Sequence, residues 1–356
     1  MTIQKRIEAF AALGKFLNQF SEKGVKQKDN PLNEKFYNDF NELIQSVHFH
    51  NGWFTEDNVR NAVAEISFSL NKKLLKEWTS IYSENISENK KSKRVAVIMA
   101  GNIPLVGFHD MLCVLVSGNI FIGKLSSDDN LLLPFIAKIL IAIEPEFDKY
   151  IEFTNGQIKN MDAVIATGSN NTARYFDYYF GKYPNIIRKN RNSVAVIIGE
   201  ESINDLRLLG KDIFQYFGLG CRNISKLFVP KGYKFDTFYQ SIFEYRNIVN
   251  NNKYGNNYDY NRTVYLMSNH SSLLDNNFLL LKEDENYSSP IGVLFFEYYD
   301  NAEDLAKRLE TDKEQIQCIV SNNNLFKNAI PLGEAQCPKL LDYADGIDTM
   351  KFLLEL

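Results

Sequence analysis

One cysteine in this chain stands where a thiolate could attack a carbonyl. Cys221 lies in Phe-Gln-Tyr-Phe-Gly-Leu-Gly-Cys-Arg-Asn (214–223), just past Gly218 and Gly220. Glycines at such a place let the backbone come close to a ligand. The run from Asp205 to Phe217, with Leu206, Leu209, Ile213 and Phe217 on one face, predicts a helix that Gly218 stops. A strand is predicted from Ile224 to Val229. Cys221 is therefore expected in a helix-to-strand turn, where a side chain can face a cleft and successive peptide N–H groups can aim at one oxygen. The same residue type also allows a buried cysteine that only fills space.

Other residues offer complementary chemistry. Asn102, in Ala-Gly-Asn-Ile-Pro-Leu (100–105), puts a carboxamide donor beside a glycine and before a helix, where it could face an oxyanion. Lys124 closes the predicted strand Ile120 to Lys124, and Gly168-Ser169 follow the strand Ala163 to Thr167 and open a helix. A strand-to-helix turn of that kind presents backbone N–H groups to a phosphate. Glu200 and Glu201, after the strand Val194 to Ile198, could move protons, whereas His109 beside Asp110 on an apolar helix reads as structural. No G-x-G-x-x-G follows a strand and no G-x-S-x-G is present. Cys113, Cys221, Cys318 and Cys337 have no C-x-x-C spacing and only four histidines accompany them, so neither a metal site nor a disulfide framework is expected. Reduced thiols point to the cytoplasm.

The elements that must position these groups fall in a readable order. Residues 1–90 carry helix-period apolar positions (Ile7, Phe10, Leu13, Leu17; Phe36, Phe40, Ile44; Val59, Val63, Ile66) and read as a helical lead-in, with Thr55 as an N-cap. From Lys93 onward short β-branched runs alternate with helical ones, as in a parallel sheet wrapped by helices. Predicted elements are a strand 95–100, a helix from Pro104 to Ser117, a helix 130–143, and a helix 235–245 after Cys221. A polar loop at 249–262, apolar runs at 264–267, 278–282 and 293–299, a helix opened by Asn301 and a strand 316–320 complete the pattern, before a turn-rich tail. With 356 residues, a net charge of -4 and pI near 5.7, the chain has no basic field for nucleic acid, and Lys90 to Arg94 reads as a solvated linker. No apolar stretch approaches the roughly 20 residues a membrane span needs, and the charged start is unlike a signal peptide.

In this order, Asn102, Lys124, the Ala-Thr-Gly-Ser turn (166–169) and Cys221 resemble the aldehyde dehydrogenase superfamily. More closely, Gly-Leu-Gly-Cys-Arg-Asn, Ser-Pro-Ile-Gly-Val-Leu (289–294), Ile-Gln-Cys-Ile-Val-Ser (316–321) and Asp-Tyr-Ala-Asp-Gly-Ile-Asp-Thr-Met (342–350) resemble the acyl-CoA reductase (LuxC-like fatty acid reductase) family, over residues 94 to 353. The resemblance implies an α/β, aldehyde dehydrogenase-like fold: a Rossmann-like cofactor domain with its helical lead-in (1–198), an α/β catalytic cysteine domain (199–330), and a tail (331–356) returning to the cofactor domain or a dimer interface.

The resemblance also implies roles. Cys221 would be acylated, Asn102 and the Cys221 peptide N–H would form the oxyanion hole, Lys124 would hold the adenine ribose, and Gly168 and Ser169 would lie along the pyrophosphate. Superfamily members that prefer NAD commonly carry a glutamate three residues after this lysine. Here Ser127 stands there, which favours NADPH. The superfamily's deacylating glutamate precedes two glycines, a setting Glu200 lacks, and that suits reduction over hydrolysis. The implied reaction is NADPH-dependent reduction of a fatty acyl-CoA or acyl-protein thioester to the aldehyde, in a homo-oligomer that can work beside an acyl-transferring partner enzyme. The alternatives are an aldehyde dehydrogenase in the oxidative direction and a catalytically silent partner of an acyl-transferring enzyme.

Overall fold

Helices come first, because apolar residues at a 3.6-residue period fill one face of each early segment and side-chain caps close the N-termini of three of the first four. Thr2 Oγ1 accepts the Lys5 N–H to open α1 (Ile3–Leu17); α2 (Asn38–Ser46) follows. Thr55 and Asn71 cap α3 (Glu56–Ser69) and α4 (Lys72–Ser80). These elements are seen in a computed structural model that describes residues 1–84, 86, 91–268, 273–326 and 328–356, so Lys90 of the basic run lies outside the described residues. Phe10, Phe16, Phe20, Phe36 and Phe40 are fully buried or nearly so, and Phe40 stacks on Phe135 at 5.3 Å between ring centres.

The chain then alternates β1 (Arg94–Ile98), α5 (Phe108–Val116), β2 (Ile120–Lys124), α6 (Leu132–Ile143), β3 (Ile151–Thr154), β4 (Ala163–Thr167), α7 (Asn170–Phe180) and β5 (Asn185–Arg188). All five strands are parallel, in the order β3-β2-β1-β4-β5. The chain runs outward from β1 to β3, then returns to the other side of β1 for β4 and β5. The carboxyl ends of β1 and β4 therefore flank a topological switch point, where open α/β sheets bind ligands. The short strands β3 and β5 carried too little pattern to be read from the sequence, whereas α7 is the helix expected after Gly168-Ser169. The helix after β1 starts at Phe108 instead of Pro104, because Leu105 takes a left-handed φ of 59° that no helix continues.

A second unit holds β6 (Asn192–Val196), α8 (Ile203–Phe214), β7 (Ile224–Pro230), α9 (Asp236–Ser241), α10 (Asn252–Met267), β8 (Leu274–Asp275), β9 (Leu280–Glu283), β10 (Val293–Tyr299), α11 (Ala302–Thr311) and β11 (Ile316–Val320). Its sheet has the order β11-β6-β7-β10-β9-β8, parallel except for β8. Residues 252–267 are one helix, where the sequence reads as a polar loop at 249–262 followed by an apolar run at 264–267. Asn251 caps the Lys253 and Tyr254 N–H groups, and Tyr254, Tyr258 and Asn261 recur at helical spacing on the buried face.

The chain divides into Met1–Lys189 with Lys339–Leu356, and Asn190–Pro338. The first break is nine residues earlier than the expected 198/199, because β6 pairs with β7 and β11 and so belongs to the second sheet. The second break falls after 338, since Leu332 and Ala335 are buried in the second unit's core. The remaining tail, with α12 (Thr349–Glu355), is bound into the first unit. Tyr343 Oη takes the Trp78 Nε1–H at 2.7 Å and meets Tyr82 Oη at 2.8 Å, and Thr349 Oγ1 takes a hydrogen bond from Arg188. That arginine also makes a buried bidentate pair with Asp110, at 2.6 and 2.9 Å.

Candidate active site

The Cys221 turn is built around a backbone kink. α8 ends at Phe214, three residues before the predicted Phe217, because Tyr216 and Phe217 adopt φ of 53° and 58° before Gly218 at 78°. The left-handed region costs a bulky residue on the order of 1–2 kcal/mol, so the surroundings must hold it. Burial of both rings supplies part of that hold. Asn223, only 3% exposed, supplies the rest: its Oδ1 accepts the Gly220 N–H at 2.8 Å, and its Nδ2 donates to the carbonyls of Gln215 at 2.7 Å and Asp212 at 3.0 Å. One amide thus spans the kink from helix end to strand start. Cys221 is left exposed at the apex.

Two further contacts fix the residues around the thiol. Ser193 Oγ, fully buried, donates to the Cys221 carbonyl at 2.8 Å and accepts the Cys318 N–H at 3.2 Å. Arg222 Nε donates to the Ala335 carbonyl. Residues 333–335 are in turn held by Asp212, whose carboxylate accepts the Gly333 N–H at 2.6 Å and the Ala335 N–H at 3.0 Å. Burial pushes the Asp212 carboxyl up to about 6, against the pull of those N–H groups and of Lys211 and Arg222. A carboxyl raised above its ordinary 3.8 stabilises the fold while protonated. The Asp212 contribution is therefore complete below pH ~4 and lost as pH rises through about 6. Melting temperatures of Asp212→Asn, measured from pH 4 to 7, should lack that part of the wild-type decline.

The first unit gathers the other predicted residues at one sheet edge. Ile98 pairs in register with Lys124 on one side and Ala166 on the other, so the β1, β2 and β4 carboxyl ends are level. Asn102 is exposed in the turn after β1, and Lys124, half-buried, ends β2. Ser127 is exposed on the loop that follows. Gly168 and Ser169 follow β4, and Ser169 Oγ caps α7 by accepting the Thr172 N–H at 3.2 Å. A Cβ on Gly168 would sit 3.0 Å from the Thr172 and Phe176 side chains, so glycine lets the turn pack closely on α7. The Asn102 turn and the Ser127 loop touch: a Cβ on Gly101 would meet Ser126 Oγ at 2.5 Å, and the Leu105 N–H reaches Asp129 Oδ2 at 2.8 Å. Burial raises the Asp129 carboxyl to about 6.

The remaining sequence candidates are structural. His109 is half-buried, with Nε2 3.1 Å from the Leu340 carbonyl, and desolvation lowers its pKa despite Asp110. Glu200 follows the carboxyl end of β6, whereas Cys221 precedes the amino end of the parallel β7. The two lie at opposite edges of that sheet, roughly 16 Å of strand apart at 3.3 Å per residue. Glu200 is thus excluded as a base at Cys221. Its neighbour Glu201 accepts the Ile198 and Gly199 N–H groups at 2.7 and 3.0 Å.

The family model for acyl-CoA reductase (LuxC) matches residues 16–237, from within the lead-in to beyond Cys221. The chain belongs to the acyl-CoA reductase (LuxC) family. Motif resemblance began only at residue 94, so the lead-in is part of the family's pattern from residue 16. The chain is accordingly an oxidoreductase of the aldehyde-forming class. No curated protein matches it.

Solved aldehyde dehydrogenases share the reductase's fold. Aldehyde dehydrogenase 21 from Physcomitrella patens, solved with its product succinate, is 12% identical over 100% of this chain and 84% of its own, with a TM-score of 0.64. Glyceraldehyde-3-phosphate dehydrogenase GapN from Methanocaldococcus jannaschii, complexed with NADP, is 13% identical over 91% and 77%, with a TM-score of 0.59. An NAD+ complex of aldehyde dehydrogenase from Bacillus cereus is 14% identical over 91% and 73%, with a TM-score of 0.58. The aldehyde dehydrogenase-like α/β fold expected from the sequence is thereby established, and among the described residues no helix is long and apolar enough to cross a membrane.

Proposed function

We propose that this reductase converts a fatty acyl thioester, carried on CoA or on a protein, to the aldehyde with NADPH, through an acyl-enzyme on Cys221. The observation that carries this reading is the exposed Cys221 at the apex of a turn latched by Asn223, in a member of the acyl-CoA reductase family. The Cys221 thiolate attacks the thioester carbonyl, and the donor thiol leaves with its electron pair. Asn102 and the Cys221 peptide N–H stabilise the oxyanion as it forms, then again as the acyl carbon is reduced. NADPH supplies the hydride when bound. The thiohemiacetal then expels the cysteine sulfur, and the aldehyde leaves.

The same reading assigns the first unit to the cofactor and the second to catalysis. Gly168, packed closely on α7, and Ser169 at the α7 N-terminus would take the pyrophosphate, and Lys124 the adenine ribose. Ser127 puts no carboxylate against a 2'-phosphate. Ser127→Glu should therefore raise the KM for NADPH by about tenfold or more, with little loss for NADH, in steady-state assays of both cofactors. Long-chain acyl-CoA with NADPH or NADH, with the aldehyde trapped and Cys221→Ser as control, tests the whole reading. Aldehyde formation that depends on Cys221 supports it. No turnover and no acylation of Cys221 would favour a silent partner of an acyl-transferring enzyme.

A further inference from the structure

The lead-in reaches the loop that carries Ser127. Before α3, the turn at residues 47–51 places His50 Nε2 3.0 Å from the Ser127 carbonyl and the Asn51 Nδ2–H donor 3.3 Å from the Asp128 carbonyl. To meet a carbonyl, the His50 Nε2 must carry the proton. Asn51 is buried, and its Oδ1 accepts the Trp53 N–H at 3.1 Å, so its amide is oriented at both ends. The inner end of the same loop is held separately. Asp129 fixes it to the Leu105 N–H, and Ser126 Oγ accepts the Asp128 N–H at 3.2 Å. Thus the exposed tip, residues 127 and 128, is held from the lead-in, and the root is held from the Asn102 turn.

We propose that His50 and Asn51 are positioning residues that hold the 127–128 tip ready for the adenosine end of a nicotinamide dinucleotide. The proposal rests on the reading that Lys124 and Ser127 take that end. A loop already held in place needs less ordering when the dinucleotide binds, so the lead-in raises affinity without touching the ligand. This gives residues 1–84 a part in cofactor binding beyond covering α6. Because the root keeps its bond to Leu105, loss of the tip bonds should leave the Asn102 turn and Cys221 acylation alone.

The test is a pair of measurements on the full chain carrying His50→Ala and Asn51→Ala together. The alanines remove both donors to the loop tip and add no charge beside it. NADPH titrated by fluorescence should show a Kd raised roughly three- to tenfold. Acylation of Cys221 by acyl-CoA without nicotinamide, followed by intact mass, should stay within about twofold of wild type, since neither donor contacts that turn. Asp129→Ala should instead slow acylation as well, because it removes the acceptor of the Leu105 N–H and so loosens the root. An unchanged NADPH Kd in the double variant would overturn the proposal, as would parallel losses of NADPH binding and acylation, which would signify general loosening. A wild-type protein that binds neither NADPH nor NADH would overturn the underlying site reading, and this proposal with it.

Discussion

Cys221→Ala should abolish aldehyde formation from acyl-CoA, with kcat/KM down at least about a thousandfold, because no other group in the turn can carry the acyl chain. The same variant should take no acyl mass from acyl-CoA while keeping NADPH binding, since the proposed cofactor residues belong to the other unit. Its stability should be close to wild type: the thiol is exposed, and the carbonyl that Ser193 holds is retained by alanine. Asn102→Ala should lower kcat by roughly a hundred- to a thousandfold, the range seen when one oxyanion donor is removed, without preventing acylation altogether. Stopped-flow acylation and intact mass would separate the two variants. Near-normal turnover of Cys221→Ala would refute the assignment, because Cys221 is exposed whereas Cys113 is buried and Cys318 and Cys337 are half-buried. Cys113 is fully buried, with its thiol pushed well up by burial, and Cys318 is half-buried on strand β11.

How far the sequence revealed this arrangement depended on how local each determinant was. Strands such as Ile120–Lys124, Ala163–Thr167 and Val293–Tyr299 were legible to the residue, since a parallel buried strand shows as a continuous apolar run. The Asn301-capped helix was legible for the same kind of reason: one side chain closes it. The kink at Tyr216 and Phe217 was not. Bulky aromatics give no sign of a left-handed backbone, and what holds them there is Asn223, together with the packing of side chains from distant segments. Asp212 was missed because its partners lie more than a hundred residues away at 333–335, and Ser193 because its hydroxyl joins Cys221 and Cys318, which only the folded sheet brings to it. Asn223 stood in the cysteine motif, but its spacing there says nothing of the carbonyls of Gln215 and Asp212 that its amide holds. Whether Glu200 could serve Cys221 stayed open in the sequence because which end of the sheet a residue occupies is not local; parallel pairing of β6 and β7 decides that.

Asn223→Asp should do more damage than any truncation of the same side chain, and should do so in a pH-dependent way. The carboxylate keeps an acceptor for the Gly220 N–H but replaces the Nδ2 donor by a second oxygen facing the carbonyls of Gln215 and Asp212, now at 2.7 and 3.0 Å. Two buried acceptors lose their hydrogen, each at about 1–3 kcal/mol, and a charge is desolvated besides. The new carboxyl escapes part of this cost by holding a proton, which restores one donor, so its folded pKa rises above the ordinary aspartate value. By linkage, such a group contributes its stability at low pH and loses it as pH rises through the raised pKa. Thermal melts of Asn223→Asp should therefore approach those of Asn223→Ala at pH 5 and fall well below them at pH 8. Cys221 acylation should fall in both variants, at least about tenfold, because the apex is no longer held over the kink. A melting temperature for Asn223→Asp that followed wild type across this range would mean that the amide does not latch the turn, and the positioning of Cys221 would have to come from Ser193 and Arg222 alone.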